Sequence, residues 1–147
     1  MSLKAQITED MKNAMRAKNS ALLGTIRLLT AAIKQREVDE RIELNDTDVI
    51  SVLEKMLKQR RDSIAAFELA KRDDLADIEK YEVTVLQAYL PQQLTEDEIK
   101  TILDQVVTDT NANGVKDMGK VMAAIKPLVA GKADMGKISG LIKARLA

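Results

Sequence analysis

Apolar positions recur three and four residues apart along nearly the whole chain, and no stretch of convincing length alternates apolar with polar. Leu3, Ile7, Met11 and Met15, spaced by four behind Ser2, predict a first helix with Ser2 as its N-cap. A break falls near Asn19-Ser20. Leu22, Ile26, Leu29 and Ile33 follow at 4-3-4 spacing, which suits a helix lying on a partner. This line fades into the charged connection "REVDERIELND" at 36–46. Asn45 with Asp48 approximates a capping box for a third line, Val49, Val52, Leu53, Met56 and Leu57, then Ile64 and Phe67. "KRDD" at 71–74 marks a break. Leu75, Ile78, Tyr81, Val85, Leu86 and Tyr89 predict a fourth helix that Pro91 stops.

"YLPQQLTEDE" at 89–98 has the punctuation of a joint: Pro91 closes one helix, and Thr95 with Glu98 forms a capping box for the next. Ile99, Ile102, Leu103 and Val106 give that fifth helix one apolar face. "TNANG" at 110–114 is turn chemistry, with Asn113-Gly114 suited to positive φ. Then Asp-Met-Gly-Lys occurs twice, at 117–120 and 134–137, each time opening a short amphipathic segment. The expectation is an all-α protein of about seven helices, four before Pro91 and three after, with no sheet. An N-terminal helical hairpin subdomain spans 1–90 and a C-terminal three-helix module spans 91–147.

Aligned on the repeat, Val121 matches Ile138, Ala124 matches Leu141, Ile125 matches Ile142 and Val129 matches Leu146, so each copy carries one apolar stripe. Asp117 and Asp134 stand where N-caps belong. Gly131 reads as the stop of the first copy, and Pro127 is expected to bend or end that copy near Lys126. A glycine in the first turn with a lysine beside it can hold a phosphate at a helix start, but an aspartate at the cap repels one. Capping and close helix packing is the favoured reading of the tetrapeptide.

Composition narrows the chemistry. The 147 residues include no Cys and no His, which excludes disulfides, thiolate catalysis, Cys/His zinc sites and imidazole bases. The only aromatic residues are Phe67, Tyr81 and Tyr89, all before residue 90, which argues against stacking of single-stranded bases. No apolar run approaches a membrane span, and Lys4 and Glu9 interrupt the N-terminus where a signal peptide would be apolar. A cytoplasmic protein is the default expectation. No nucleophile elbow, Ser/Lys dyad or nucleotide loop is visible, so no enzyme activity, cofactor, metal or small-molecule substrate is expected.

Net charge is zero but unevenly spread. Residues 1–90 hold 15 basic and 16 acidic side chains, residues 91–115 hold one against five, and residues 116–147 hold seven against two. The seven, Lys116, Lys120, Lys126, Lys132, Lys137, Lys143 and Arg145, are the candidate surface for an anionic partner. "KQRRDS" supplies a second basic cluster, Lys58, Arg60 and Arg61. Arg60 falls on the apolar line of the third helix, where pairing with a carboxylate such as Glu79 or Glu82 is the plainer expectation.

The chain resembles the GatB/YqeY family, as a free-standing YqeY-like protein. "RLLTAAIK" (27–34), "EKMLKQRRDSI" (54–64), "KRDDLADIE" (71–79) and "YLPQQLTEDEI" (89–99) carry the likeness of the first part and joint. "DMGKVMAAIKPLVAGKADMGKISGLIKARL" (117–146) carries that of the C-terminal module. The module match covers Asp117, Met118, Gly119, Lys120, Pro127, Gly131, Ala133, Asp134 and Lys137, and the second copy departs by carrying Met135 where many relatives run directly from Asp to Gly. Related modules form the tail of the B subunit of the tRNA-dependent amidotransferase and are appended to some glutaminyl-tRNA synthetases, where they help hold tRNA. The resemblance therefore implies a non-catalytic accessory whose partner is tRNA or a tRNA-processing enzyme. The alternative, suggested by seven methionines on amphipathic helices, is a helical adaptor between proteins without direct RNA binding.

Overall fold

The computed structural model describes residues 1–147 and contains no strand. Its elements are α1 (Leu3–Arg16), α2 (Ser20–Glu40), α3 (Asp46–Leu69), α4 (Asp73–Gln87), α5 (Glu96–Thr110), a single 3-10 turn (Val115–Asp117), α6 (Met118–Val129) and α7 (Met135–Leu146). The helix count and its four-plus-three distribution about Pro91 match the apolar spacing. The chain divides into two compact units, Met1–Leu90 and Pro91–Ala147.

In the first unit α3 and α4 pack along each other, while α1 and α2 lie together and both meet α3. Ile7 and Ala14 of α1, Ile26, Leu29 and Ile33 of α2, Val49, Leu53 and Leu57 of α3 and Leu86 of α4 fill one core. Burying each of these Ile, Leu and Val side chains stabilises by about 1.5–3 kcal/mol before conformational entropy is charged against it. The inward position after Met11 is Ala14, and Met15 is 51 % exposed, because the four-residue steps of the first apolar line drift off the buried stripe.

Helix starts follow the sequence closely. The Ser2 hydroxyl accepts from the Ala5 N–H at 3.1 Å. The Asn45 side chain accepts from the Asp48 N–H at 2.9 Å while the Asp48 carboxylate accepts from the Asn45 N–H at 3.2 Å. Thr95 and Glu98 form the same reciprocal box. Helix ends differ more. α2 continues to Glu40, so the connection shrinks to 41–45. α3 runs unbroken through "KQRRDS", as its apolar line to Phe67 implies, whereas α4 ends at Gln87, before Pro91 can act on it.

In the second unit α6 packs against both α5 and α7. Ile99, Leu103, Val106 and Val107 of α5 close on Val121, Ile125 and Val129 of α6 and on Ile138, Ile142 and Leu146 of α7. The 17-residue repeat is thus a repeat of inward-facing positions. Pro127 does not end its helix: α6 continues to Val129, and the proline sits in the last turn, exposed to water. The carbonyl that loses its ladder partner there belongs to Ala123, itself exposed, so the missing N–H leaves nothing buried and unpaired. Gly131, at φ +73°, reverses the chain after α6. In the "TNANG" turn, positive φ falls on Asn111 (52°) and Gly114 (84°), not on Asn113.

Candidate nucleic-acid interface

The two copies of the tetrapeptide start their helices differently. The Asp134 carboxylate accepts from the Gly136 N–H at 3.1 Å, a short cap on α7. Asp117 makes no cap bond to α6; its Oδ2 instead accepts from the Asn113 N–H at 2.7 Å. The 3-10 turn directly before α6 leaves Asp117 with φ −93° and ψ 7°, outside the extended conformation from which a cap side chain reaches forward. The first aspartate therefore fixes the preceding loop, and only the second caps its helix through its side chain.

The glycines of the repeat are not packing glycines. A Cβ built on Gly119 would meet nothing within 4 Å, and one on Gly136 would meet only the Asp134 carboxylate at ordinary contact distance, 3.6 Å. Both positions are exposed in a first helical turn, where glycine costs about 0.5–1 kcal/mol relative to alanine. Close helix packing, part of the favoured sequence reading, does not account for them. What the glycines do leave is backbone with no side chain over it at the start of each helix, although in the second copy the Gly136 N–H is taken by the Asp134 carboxylate.

Six of the seven C-terminal basic residues are exposed and unpaired. Lys116, Lys120, Lys126, Lys132, Lys137 and Lys143 have no carboxylate within 4.0 Å. The repeat puts Lys120 and Lys137 at equivalent first-turn positions, and Lys126 and Lys143 at equivalent last-turn positions. On each helix the first-turn lysine points almost opposite the buried stripe. Arg145 is set apart: its Nε donates to Asp104 of α5 at 3.0 Å.

The second cluster is not one surface. Arg60 donates from Nε to Glu82 at 2.8 Å and from Nη1 to the Met56 carbonyl at 3.4 Å, whereas Lys58 and Arg61 are exposed. Nowhere do three or more carboxylates gather as a metal site would need. No helix is long and apolar enough to cross a membrane. Of the seven methionines only Met1 and Met15 are exposed, and the others are buried or half-buried. The methionines thus act mainly as core filler.

The chain, an all-helical pair of units, belongs to the YqeY-like family, whose model matches residues 4–146. It is also similar to fungal proteins named "Altered inheritance of mitochondria protein 41, mitochondrial". Identity to that of Clavispora lusitaniae is 36 % over 114 residues, covering 76 % of this chain and 66 % of the relative. For Pyrenophora tritici-repentis it is 32 % over 130 residues, 87 % and 71 %. For Kluyveromyces lactis it is 36 % over 109 residues, 71 % and 58 %. The chain thus spans between 58 and 71 % of the length of these relatives. Neither the family description nor these names state a catalytic activity. The names do overturn the cytoplasmic expectation, since those relatives are mitochondrial. That expectation rested on composition and on the lack of an apolar span, and neither separates cytosol from the interior of an organelle.

Proposed function

We propose that this protein is a non-catalytic accessory that holds tRNA through its second unit. The observation that carries the reading is the set of six exposed lysines with no carboxylate partner. Phosphate contacts need such unpaired cations, and each contact made releases counterions from the nucleic acid. The start of α6, which no side chain caps, with the exposed Gly119 backbone beside Lys120, suits the backbone approach by which folded RNA is recognised through shape. The resemblance to tRNA-holding tails of amidotransferase B subunits points the same way. Purified protein titrated with tRNA over a salt series tests it: saturable binding whose affinity falls linearly on a log–log salt plot supports the reading, and no binding at low salt refutes it.

The adaptor reading has one observation in its favour. Leu69, Ile78 and Tyr81, on the last turn of α3 and the middle of α4, are 87, 58 and 39 % exposed. Partner capture that survives ribonuclease treatment and is lost in Ile78→Ser/Tyr81→Ser would favour the adaptor.

A further inference from the structure

The first unit contains an open cleft of about 390 Å³ between α1, α2 and the C-terminal end of α4, with Gln6, Asn13, Ala17 and Asn19 exposed at its rim. Its apolar lining includes Ala14, Leu22, Ile26 and Val85. One arc of α1 adds polar groups at helical spacing: Gln6, Asp10 and Asn13. The Tyr89 hydroxyl donates to Oδ2 of Asp10 at 2.6 Å. Burial, and then the adjacent Asp10 carboxylate, push the tyrosine well above its ordinary pKa of 10, so it stays a donor and takes none of the charge.

The carboxylate has no counter-ion. Asp10 is half-buried, no basic side chain lies within 4.0 Å of it, and no Lys or Arg lines the cleft. Lys12 and Arg16 project from α1 more than 100° of helix rotation away from Asp10. An ionised group partly withdrawn from water with one hydrogen bond and no cation is incompletely compensated. Of the helix ends at the site, those of α1 at Ala17 and α4 at Ala88 are negative and the start of α2 at Asn19 is positive, so the dipoles largely offset and the Asp10 carboxylate sets the charge. An anion would be repelled, and an uncharged apolar ligand would strip water from Asp10 without replacing it.

We infer that this cleft is a binding site for a small organic cation, a primary ammonium on a short apolar stem, with Asp10 as its charge partner and the α2 and α4 side chains packing the stem. All the residues of such a site belong to the first unit.

The test is a titration of the full chain with n-butylammonium chloride followed by amide NMR shifts, with n-butanol and sodium butyrate as controls. Saturable shifts confined to the cleft lining are expected, with butanol at least tenfold weaker and butyrate without effect. Asp10→Asn, which keeps an acceptor for Tyr89, should weaken ammonium binding at least tenfold. Ala17→Phe, which fills the cleft and leaves Asp10 intact, should abolish it and decides the matter should Asp10→Asn not fold. Equal affinity in wild type and a folded Asp10→Asn, unchanged binding in Ala17→Phe, or shifts scattered over surface carboxylates would each overturn the assignment.

Discussion

Arg60 of α3 donates from Nε to Glu82 of α4 at 2.8 Å, with the two side chains only 14 and 15 % exposed. The pair sits where the apolar line of α3 is interrupted, so it fastens the helices where aliphatic packing cannot. Removing one partner leaves the other largely shielded and unpaired. Glu82→Ala should therefore cost about 2–3 kcal/mol, somewhat less than a fully buried pair, while Arg60→Met/Glu82→Leu should come close to wild type. Urea denaturation of Arg60→Met, Glu82→Leu and Arg60→Met/Glu82→Leu measures this coupling. Additive losses would show that the contact contributes nothing.

Four helices end on a left-handed residue that is not glycine: Lys18, Arg41, Lys71 and Asn111, with φ between 52° and 60°. In each case the next N–H bonds the carbonyl five residues back, as Asn19 to Ala14 at 3.0 Å and Arg72 to Phe67 at 2.8 Å. A side chain in that region costs about 1–2 kcal/mol, so Lys18→Gly, Arg41→Gly and Lys71→Gly should each stabilise, by up to about 1 kcal/mol after the added chain entropy. Thermal melts of the three variants should shift upward, and together they should be nearly additive.

Lys4 donates to Glu37 at 2.6 Å, and Glu37 also accepts from the Leu44 N–H at 2.9 Å. These bonds, the lysine's first, hold the Glu37 carboxyl below its usual 4.5, and the Glu37 bond raises Lys4 above its usual 10.5. The carboxylate's contribution is present above pH 4.5 and is lost as pH falls through its lowered value. The lysine's is present below pH 10.5 and is lost as pH rises through its raised value. Glu37→Gln should flatten the acid limb of the stability profile and leave the neutral plateau lower.

The second unit has its own core, drawn from α5, α6 and α7. Residues 91–147 made alone should therefore unfold cooperatively, with marginal stability for so short a chain. Gly131→Ala, at φ +73°, should cost that fragment about 1–2 kcal/mol. A fragment without cooperative unfolding would show that the first unit is needed to complete it.

What could be read from the sequence was what is local. Ser2, Asn45 with Asp48, and Thr95 with Glu98 bond within three residues of themselves, and they stand in the structure as they stand in the pattern. The C-terminal stops at Lys18, Arg41 and Lys71 were not legible, because a lysine or arginine in the left-handed region leaves no compositional mark. Asp117 and Asp134 are written identically, yet the 3-10 turn before the first diverts its carboxylate to Asn113. For the candidate interface, exposure of the lysines followed from helix spacing, but Arg145 pairs with a residue 41 positions away. The cleft beside Asp10 depends on Tyr89, just beyond α4, reaching α1 across 79 residues, beyond any periodicity.

The repeat glycines give a test in which stability and binding move in opposite directions. With room for a Cβ at both positions, Gly119→Ala/Gly136→Ala should stabilise the protein by about 1–2 kcal/mol in all. Where phosphate approaches the uncovered backbone of these first turns, the added methyl groups should make the same variant bind tRNA more weakly.

The most direct measurement is the salt dependence of tRNA affinity for wild type against Lys120→Ala/Lys126→Ala/Lys137→Ala/Lys143→Ala. These four exposed lysines make no ion pair, so the variant should keep the wild-type melting temperature. Its affinity should fall, and its log–log salt slope should shrink by about 0.7–0.9 for each phosphate contact removed. A variant that binds tRNA with unchanged affinity and slope would contradict the account.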